Sequence, residues 1–235
     1  MSGNEHKRDA ARAVVLLSGG MDSAVVLATA IRDRFEAHAL TVRYGQRHAV
    51  ELSAARAVAA ALGASEHVEI DVDLARFGGS ALTAPGEIPR DVGPRHGIPS
   101  TYVPARNAVL LALGASLAEA LGARDLFVGV SAVDYSGYPD CRPEFIRAFE
   151  EALRLGTRAG ATGAPLRLHA PLLAMSKADT VRAGLELGVD FGLTRSCYNP
   201  DESGAPCHAC DACRLRALGF EGAGVPDPLA RRYQR

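Results

Sequence analysis

Ala13-Val14-Val15-Leu16-Leu17-Ser18-Gly19-Gly20-Met21-Asp22-Ser23-Ala24-Val25-Val26-Leu27 decides the architecture of this chain. The apolar run Ala13–Leu17 reads as a buried strand, Ser18 to Ser23 as a glycine-rich turn, and Asp22 to Arg32 as a segment with helical periodicity. A strand, a glycine turn and a helix start together make an anion site. The glycines let the backbone approach the ligand, and the unpaired N–H groups of the first helical turn point at it with the favourable end of the dipole. The loop is shorter than G-x-x-x-x-G-K-[ST] and lacks the lysine that reaches the β/γ-phosphates. It therefore suits pyrophosphate held as a leaving group better than a γ-phosphate held for transfer. A bare SGG would read better as a turn capped by Asp22, which any βα unit could use. The full S-G-G-x-D-S between strand and helix favours the anion site. The nucleotide-contacting stretch is assigned to Leu17, Ser18, Gly19, Gly20, Met21, Asp22, Ser23, Ala24, Val25, Val26 and Leu27.

Further along, strand-like and helix-like segments alternate. Strands are expected at Ala37–Tyr44, His67–Val72, Leu126–Val130 and Leu166–Ala170. Helices are expected at Ala49–Leu62, Ala105–Leu121, Pro143–Leu155 and Lys177–Leu187, the last long helix of the core. This succession implies an α/β fold: a doubly wound, mainly parallel sheet with helices on both faces, and a ligand at the carboxyl ends of the strands. Residues 12–235 are expected to form one domain, behind a disordered tail at 1–11. The proline- and glycine-rich stretch Gly78–Pro104 is too long for a simple connection and reads as an ordered substrate lid.

Composition limits the classes of function. The chain has 235 residues, 48% hydrophobic and 23% charged, with net charge −1, so no global basic field draws it to nucleic acid. Its longest apolar stretch, Ala108 to Ala118, is too short to span a bilayer. The first residues lack the apolar core of a signal peptide, and a cytoplasmic location is expected. In that compartment the five cysteines point to metal or redox chemistry rather than disulfides.

Cys207, Cys210 and Cys213 form C-x-x-C-x-x-C, with Cys197 ten residues earlier. Four thiolates can close a tetrahedral Zn²⁺ shell with no position left for water, which makes the site structural. Such a metal would staple a C-terminal segment, about 194–220, onto the core. An iron–sulfur cluster also uses C-x-x-C-x-x-C, though usually with a different spacing to the fourth ligand. His208, between the ligands, reads as a solvent-facing bystander. Cys141 stands apart, either a small buried residue or a nucleophile.

Three other polar groupings carry chemistry or capping. Gly129 to Asp140 leaves a strand end with two carboxylates and two tyrosines. The carboxylates can accept from a guanine-like N1–H and amine, and a tyrosine face can stack on a flat ring; a polar surface turn is the alternative. Ser176-Lys177-Ala178-Asp179 resembles a capping box, with Lys177 able to reach phosphates. Arg106 and Asn107 are either a helix start or a phosphate and substrate clamp.

Together LSGGMDS, YGQRH, GGSALT, TYVPARN, GVSAVDYSGYPDCRPEF, HAPL, SCY and CHACDACRLR resemble the 7-cyano-7-deazaguanine synthase family, from about Val14 to Pro228. Arg195 stands where that family more often has tryptophan. The resemblance implies an adenine nucleotide alpha hydrolase-like fold and a ligase. Such an enzyme turns 7-carboxy-7-deazaguanine, ammonia and two ATP into the nitrile, with Mg²⁺ and one structural Zn²⁺ and no nucleic acid or membrane partner. It also implies a homodimer. On this reading Lys177, Arg106 and Asp134 are candidate catalytic residues, and Tyr138, Asp140 and Arg142 candidate substrate contacts. Cys197, Cys207, Cys210 and Cys213 hold the metal. Another pyrophosphatase-loop amidating or tRNA-modifying enzyme, or a zinc-ribbon nucleic-acid binder, are the alternatives.

Overall fold

The structure is a computed structural model that describes residues 10–46, 50–84, 86, 97–131 and 137–233. Five parallel strands form one sheet: β1 (Arg12–Leu16), β2 (Glu36–Arg43), β3 (Glu66–Asp71), β4 (Asp125–Phe127) and β5 (Arg167–His169), in the order β3-β2-β1-β4-β5. β1 is central, with Val14 opposite His38 on one side and Leu126 on the other. The order reverses direction at β1 and β4, and there a crevice opens beyond their carboxyl ends.

Alternation along β1 divides the core in two. Ala13, Val15 and Leu17 face one layer, with α1 (Met21–Arg32), α2 (Val50–Leu62), α6 (Lys177–Glu186) and Phe220 of α7 (Asp211–Ala223). Val14 and Leu16 face the other, with α3 (Arg106–Leu121) and α4 (Pro143–Gly156). Two shorter helices, α5 (Arg158–Ala161) and α8 (Pro228–Tyr233), complete the chain. Every expected strand and helix is present within a few residues.

The C-terminal part holds more regular structure than expected. α7 packs closely on α6: a Cβ at Gly219 would come 3.1 Å from the Lys177 carbonyl oxygen. Phe220 meets Phe191 edge-on at 5.4 Å. Buried Arg216 is bonded through Nε and Nη2 to Asp227 and through Nη1 to Thr194. The helix that follows the cysteine segment is thus anchored by burial. Residues 1–9 of the expected tail lie outside the described residues, while the Ala11 carbonyl already accepts from the Glu36 N–H. The middle of the expected lid, Pro85 and 87–96, also lies outside them. Its ends pack inward, with Leu82 and Val103 buried against Tyr44 and Tyr198. No helix among the described residues is long and apolar enough to cross a membrane.

Candidate active site

The crevice beyond β1 and β4 holds a cavity of about 270 Å³. One wall is the glycine turn. Gly19 has φ +83°, and a Cβ there would meet the Glu51 carbonyl oxygen at 2.4 Å and the Ala55 nitrogen at 2.7 Å. Only glycine lets the turn lie this close to α2. Ser23 Oγ donates to the Gly20 carbonyl (3.1 Å) and accepts from the Ser18 N–H (3.2 Å), and the Gly20 N–H donates to Ser18 Oγ. The turn is therefore braced from within while the first turn of α1 faces the crevice. On the far side, the Gly129 backbone approaches that helix start; a Cβ there would lie 3.3 Å from the Ser23 nitrogen.

Lys177 is buried at the first position of α6, where Ser176 and Asp179 form the capping box read from the sequence. Its ammonium donates to Asp22 Oδ2 at 2.8 Å and to Ser131 Oγ at 2.9 Å. The lysine that the local motif lacks thus reaches the loop from 155 residues away.

Arg106 enters from the opposite wall. It opens α3 after Ala105, whose left-handed φ of +53° turns the chain into the helix. Its Nη1 donates to Tyr44 Oη (3.3 Å), and the guanidinium stands 5.4 Å from the centre of that ring. Its Nε is buried without a hydrogen-bond partner among the described residues. Glu51, near the start of α2, lines the same cavity, and burial pushes its carboxyl up to about 7 against the pull of Arg106. Burial also raises the Tyr44 phenol. Tyr138 lines the cavity with its hydroxyl 2.8 Å from Thr101 Oγ1.

The other sequence candidates are distributed differently. The buried Asp140 carboxylate accepts from the Asn107 N–H (2.9 Å) and so caps α3; it does not line the cavity. Arg142 is exposed and precedes α4. Asp134 lies outside the described residues. Leu17 lines the cavity, whereas Ala24, Val25, Val26 and Leu27 are buried in the body of α1, in the core.

A model of the family described as "Queuosine biosynthesis protein QueC" matches residues 12–224. The chain belongs to this family. It is 64% identical to the 7-cyano-7-deazaguanine synthase of Xanthomonas campestris pv. campestris (strain B100), over 92% of this chain and 96% of that one. It is 59% identical to the 7-cyano-7-deazaguanine synthase of Ralstonia pickettii (strain 12J), over 92% and 97%. Among solved structures, NMN synthetase from Francisella tularensis matches with TM-score 0.46 at 15% identity, over 95% of this chain and 82% of that one.

The QueC-family chain also brings its four C-terminal cysteines together. Cys197, Cys207, Cys210 and Cys213 place their sulfurs within 4.8 Å of one another. Four thiolates about 2.3 Å from one Zn²⁺ stand about 3.8 Å apart, so the cluster fits a single tetrahedral ion. Backbone N–H groups point at the sulfurs, from Asn199 and Cys207 to Cys197 and from Cys210 to Cys207, as thiolates require. His208 is exposed.

Sequence reasoning missed the residues that join this cluster to the cavity. The Arg195 N–H donates to the Gly19 carbonyl at 2.8 Å. Ser196 Oγ is buried beside Gly20 without a partner among the described residues, and Tyr198 lines the cavity. These three flank Cys197, and the SCY motif with Arg195 before it was their only signal in the sequence. Tyr44 opens the YGQRH motif, whereas Glu51 gave no signal, since its environment comes from Arg106 at the start of α3.

Proposed function

We propose that this chain is a carbon–nitrogen ligase that converts 7-carboxy-7-deazaguanine and ammonia into 7-cyano-7-deazaguanine, consuming two ATP and releasing AMP and pyrophosphate. The observation that carries this reading is a crevice lined by the Ser18–Ser23 turn and Arg106, with Lys177 bonded to the loop through Asp22, in a chain so close to the named synthases.

The geometry suits adenylation. A carboxylate is a poor acyl donor until one of its oxygens is bound to the α-phosphorus of ATP. As that bond forms, pyrophosphate charge develops, and the N–H groups at the start of α1 stabilise it together with the Lys177 ammonium. Mg²⁺ bound with the nucleotide would supply further charge neutralisation there. The apolar end of the cavity, at Leu16, Leu40, Val42 and Val128, accepts a flat ring system. Arg106 is aimed at substrate or phosphate oxygens, and Tyr138 offers a ring face to the deazaguanine. Ammonia converts the acyl adenylate into the amide. The amide oxygen is adenylated in turn, and loss of AMP and protons leaves the nitrile.

Cys197, Cys207, Cys210 and Cys213 would hold one Zn²⁺ per chain in a structural role, which would fix Arg195 and Ser196 against the phosphate loop. On this reading the enzyme is cytoplasmic, acts as a homodimer on free small molecules, and requires no nucleic acid. Incubation of the protein with Mg-ATP, ammonium and 7-carboxy-7-deazaguanine, followed by mass spectrometry, tests the reading. Nitrile and AMP support it; ADP, no turnover, or activity that appears only with tRNA overturns it.

A further inference from the structure

The proposed reaction demands a proton acceptor that none of the roles above supplies. Ammonia that attacks an acyl carbon becomes cationic at nitrogen and must lose a proton before AMP can leave productively. Two carboxylates line the cavity among the described residues, Asp22 and Glu51. Asp22 is held by the Lys177 ammonium at 2.8 Å. Glu51 receives no hydrogen bond from any described residue, and among the described residues Arg106 acts on it through space. The Glu51 main chain abuts Gly19, so its side chain starts beside the phosphate loop and lines the wall between that loop and Arg106.

We propose that Glu51 is the proton acceptor for the ammonia nucleophile, an inference that rests on the ligase reading. Ammonia forms a C–N bond to the acyl adenylate, Glu51 takes one N–H proton, and the C–O bond to the phosphate breaks. Acyl adenylate, ammonia and Glu51 carboxylate thus give amide, AMP and Glu51 carboxylic acid, with charge conserved and no oxidation or reduction. The environment suits the task. Burial favours the protonated form, while the α2 N-terminus and Arg106 favour the ionised one, so the carboxyl, near 7, exchanges protons at working pH. The groups that face it are Tyr44 and Arg106, with Asp22, Tyr138, Cys141, Arg195 and Tyr198 on the same walls.

The test uses the full chain with Glu51→Gln and Glu51→Asp. Carboxylate-dependent exchange of pyrophosphate into ATP, measured without ammonium, reads adenylation; single-turnover amide formation reads the ammonia step. For Glu51→Gln the exchange is expected to stay within about threefold of wild type, while amide formation falls about 10²–10⁴-fold and the pH limb near 7 disappears. Glu51→Asp is expected to recover part of the rate with the limb retained. Amide formation that persists in Glu51→Gln with its pH limb overturns the proposal. So does an equal loss of exchange and amide formation in both variants, which would make Glu51 a support of the loop. A wild-type protein that forms neither amide nor nitrile refutes the ligase reading itself, whereas an active wild type with an unaffected Glu51→Gln refutes only the role of Glu51.

Discussion

Lys177→Met is expected to weaken the fold and the chemistry by separate routes. The lysine side chain is 9% exposed and neutralises Asp22, which keeps 25% of its side-chain surface. Removing one partner of a buried pair costs about 3–5 kcal/mol because a charge is left uncompensated. Partial exposure of Asp22 lets water recover some of that, so a loss of roughly 2–3 kcal/mol is expected, or roughly 5–10 °C in Tm for a chain of this size. Chemistry should suffer more. With no other ammonium at the loop among the described residues, the developing pyrophosphate charge loses a donor, a change that lowers rates about 10²–10³-fold. Urea denaturation reads the first effect and carboxylate-dependent pyrophosphate exchange the second. The double variant Lys177→Met/Asp22→Asn separates them: a neutral partner should restore most of the stability and none of the exchange. Lys177→Met with wild-type stability and exchange, or a double variant that regains exchange, would refute the reasoning.

Asp140→Ala should destabilise by about 1–3 kcal/mol in denaturant titrations, because the Asn107 N–H is left buried without its acceptor. Its KM for the deazaguanine substrate should change little; a KM increase of about 10²-fold or more without stability loss would return the carboxylate to substrate binding. Elemental analysis should find one zinc per chain, and Cys210→Ser should abolish it. Because Arg195 and Ser196 follow the metal segment onto the phosphate loop, the metal-free protein should also bind ATP more weakly by calorimetry. Burial raises the Glu51 carboxyl to about 7 in the folded chain from an ordinary 4.5. The folded state therefore binds more protons between those values, and stability falls as pH rises through that window. The stability difference between Glu51→Gln and wild type should widen from about pH 4.5 to 7 and level off above it, as read by denaturation at fixed pH values.

Local signals made much of this molecule legible. Val14, Val15 and Leu16 are apolar on both faces because β1 is central, and an unbroken apolar run announces that position. The glycine turn, the Ser176–Asp179 cap and the cysteine spacing are equally local, each a contact between residues a few positions apart. α7 was hidden because its inward face carries Arg216 and Gly219 beside Phe220. An arginine buried against Asp227 reads as surface in any periodicity count. The polar density around Asp140 marked a busy segment but could not show that its carboxylate faces the start of α3. Glu51 was invisible for a related reason. A carboxylate acquires its character from what encloses it, and Arg106 and Tyr44 interact with Glu51 from other parts of the chain.

Oxygen labelling tests the double adenylation most directly. If both carboxylate oxygens of the substrate carry ¹⁸O, each adenylation must remove one of them by cleavage at carbon. The account predicts two AMP per nitrile, each with one heavy oxygen, and unlabelled pyrophosphate. Label released to water or found in pyrophosphate, or a single labelled AMP per nitrile, would contradict it.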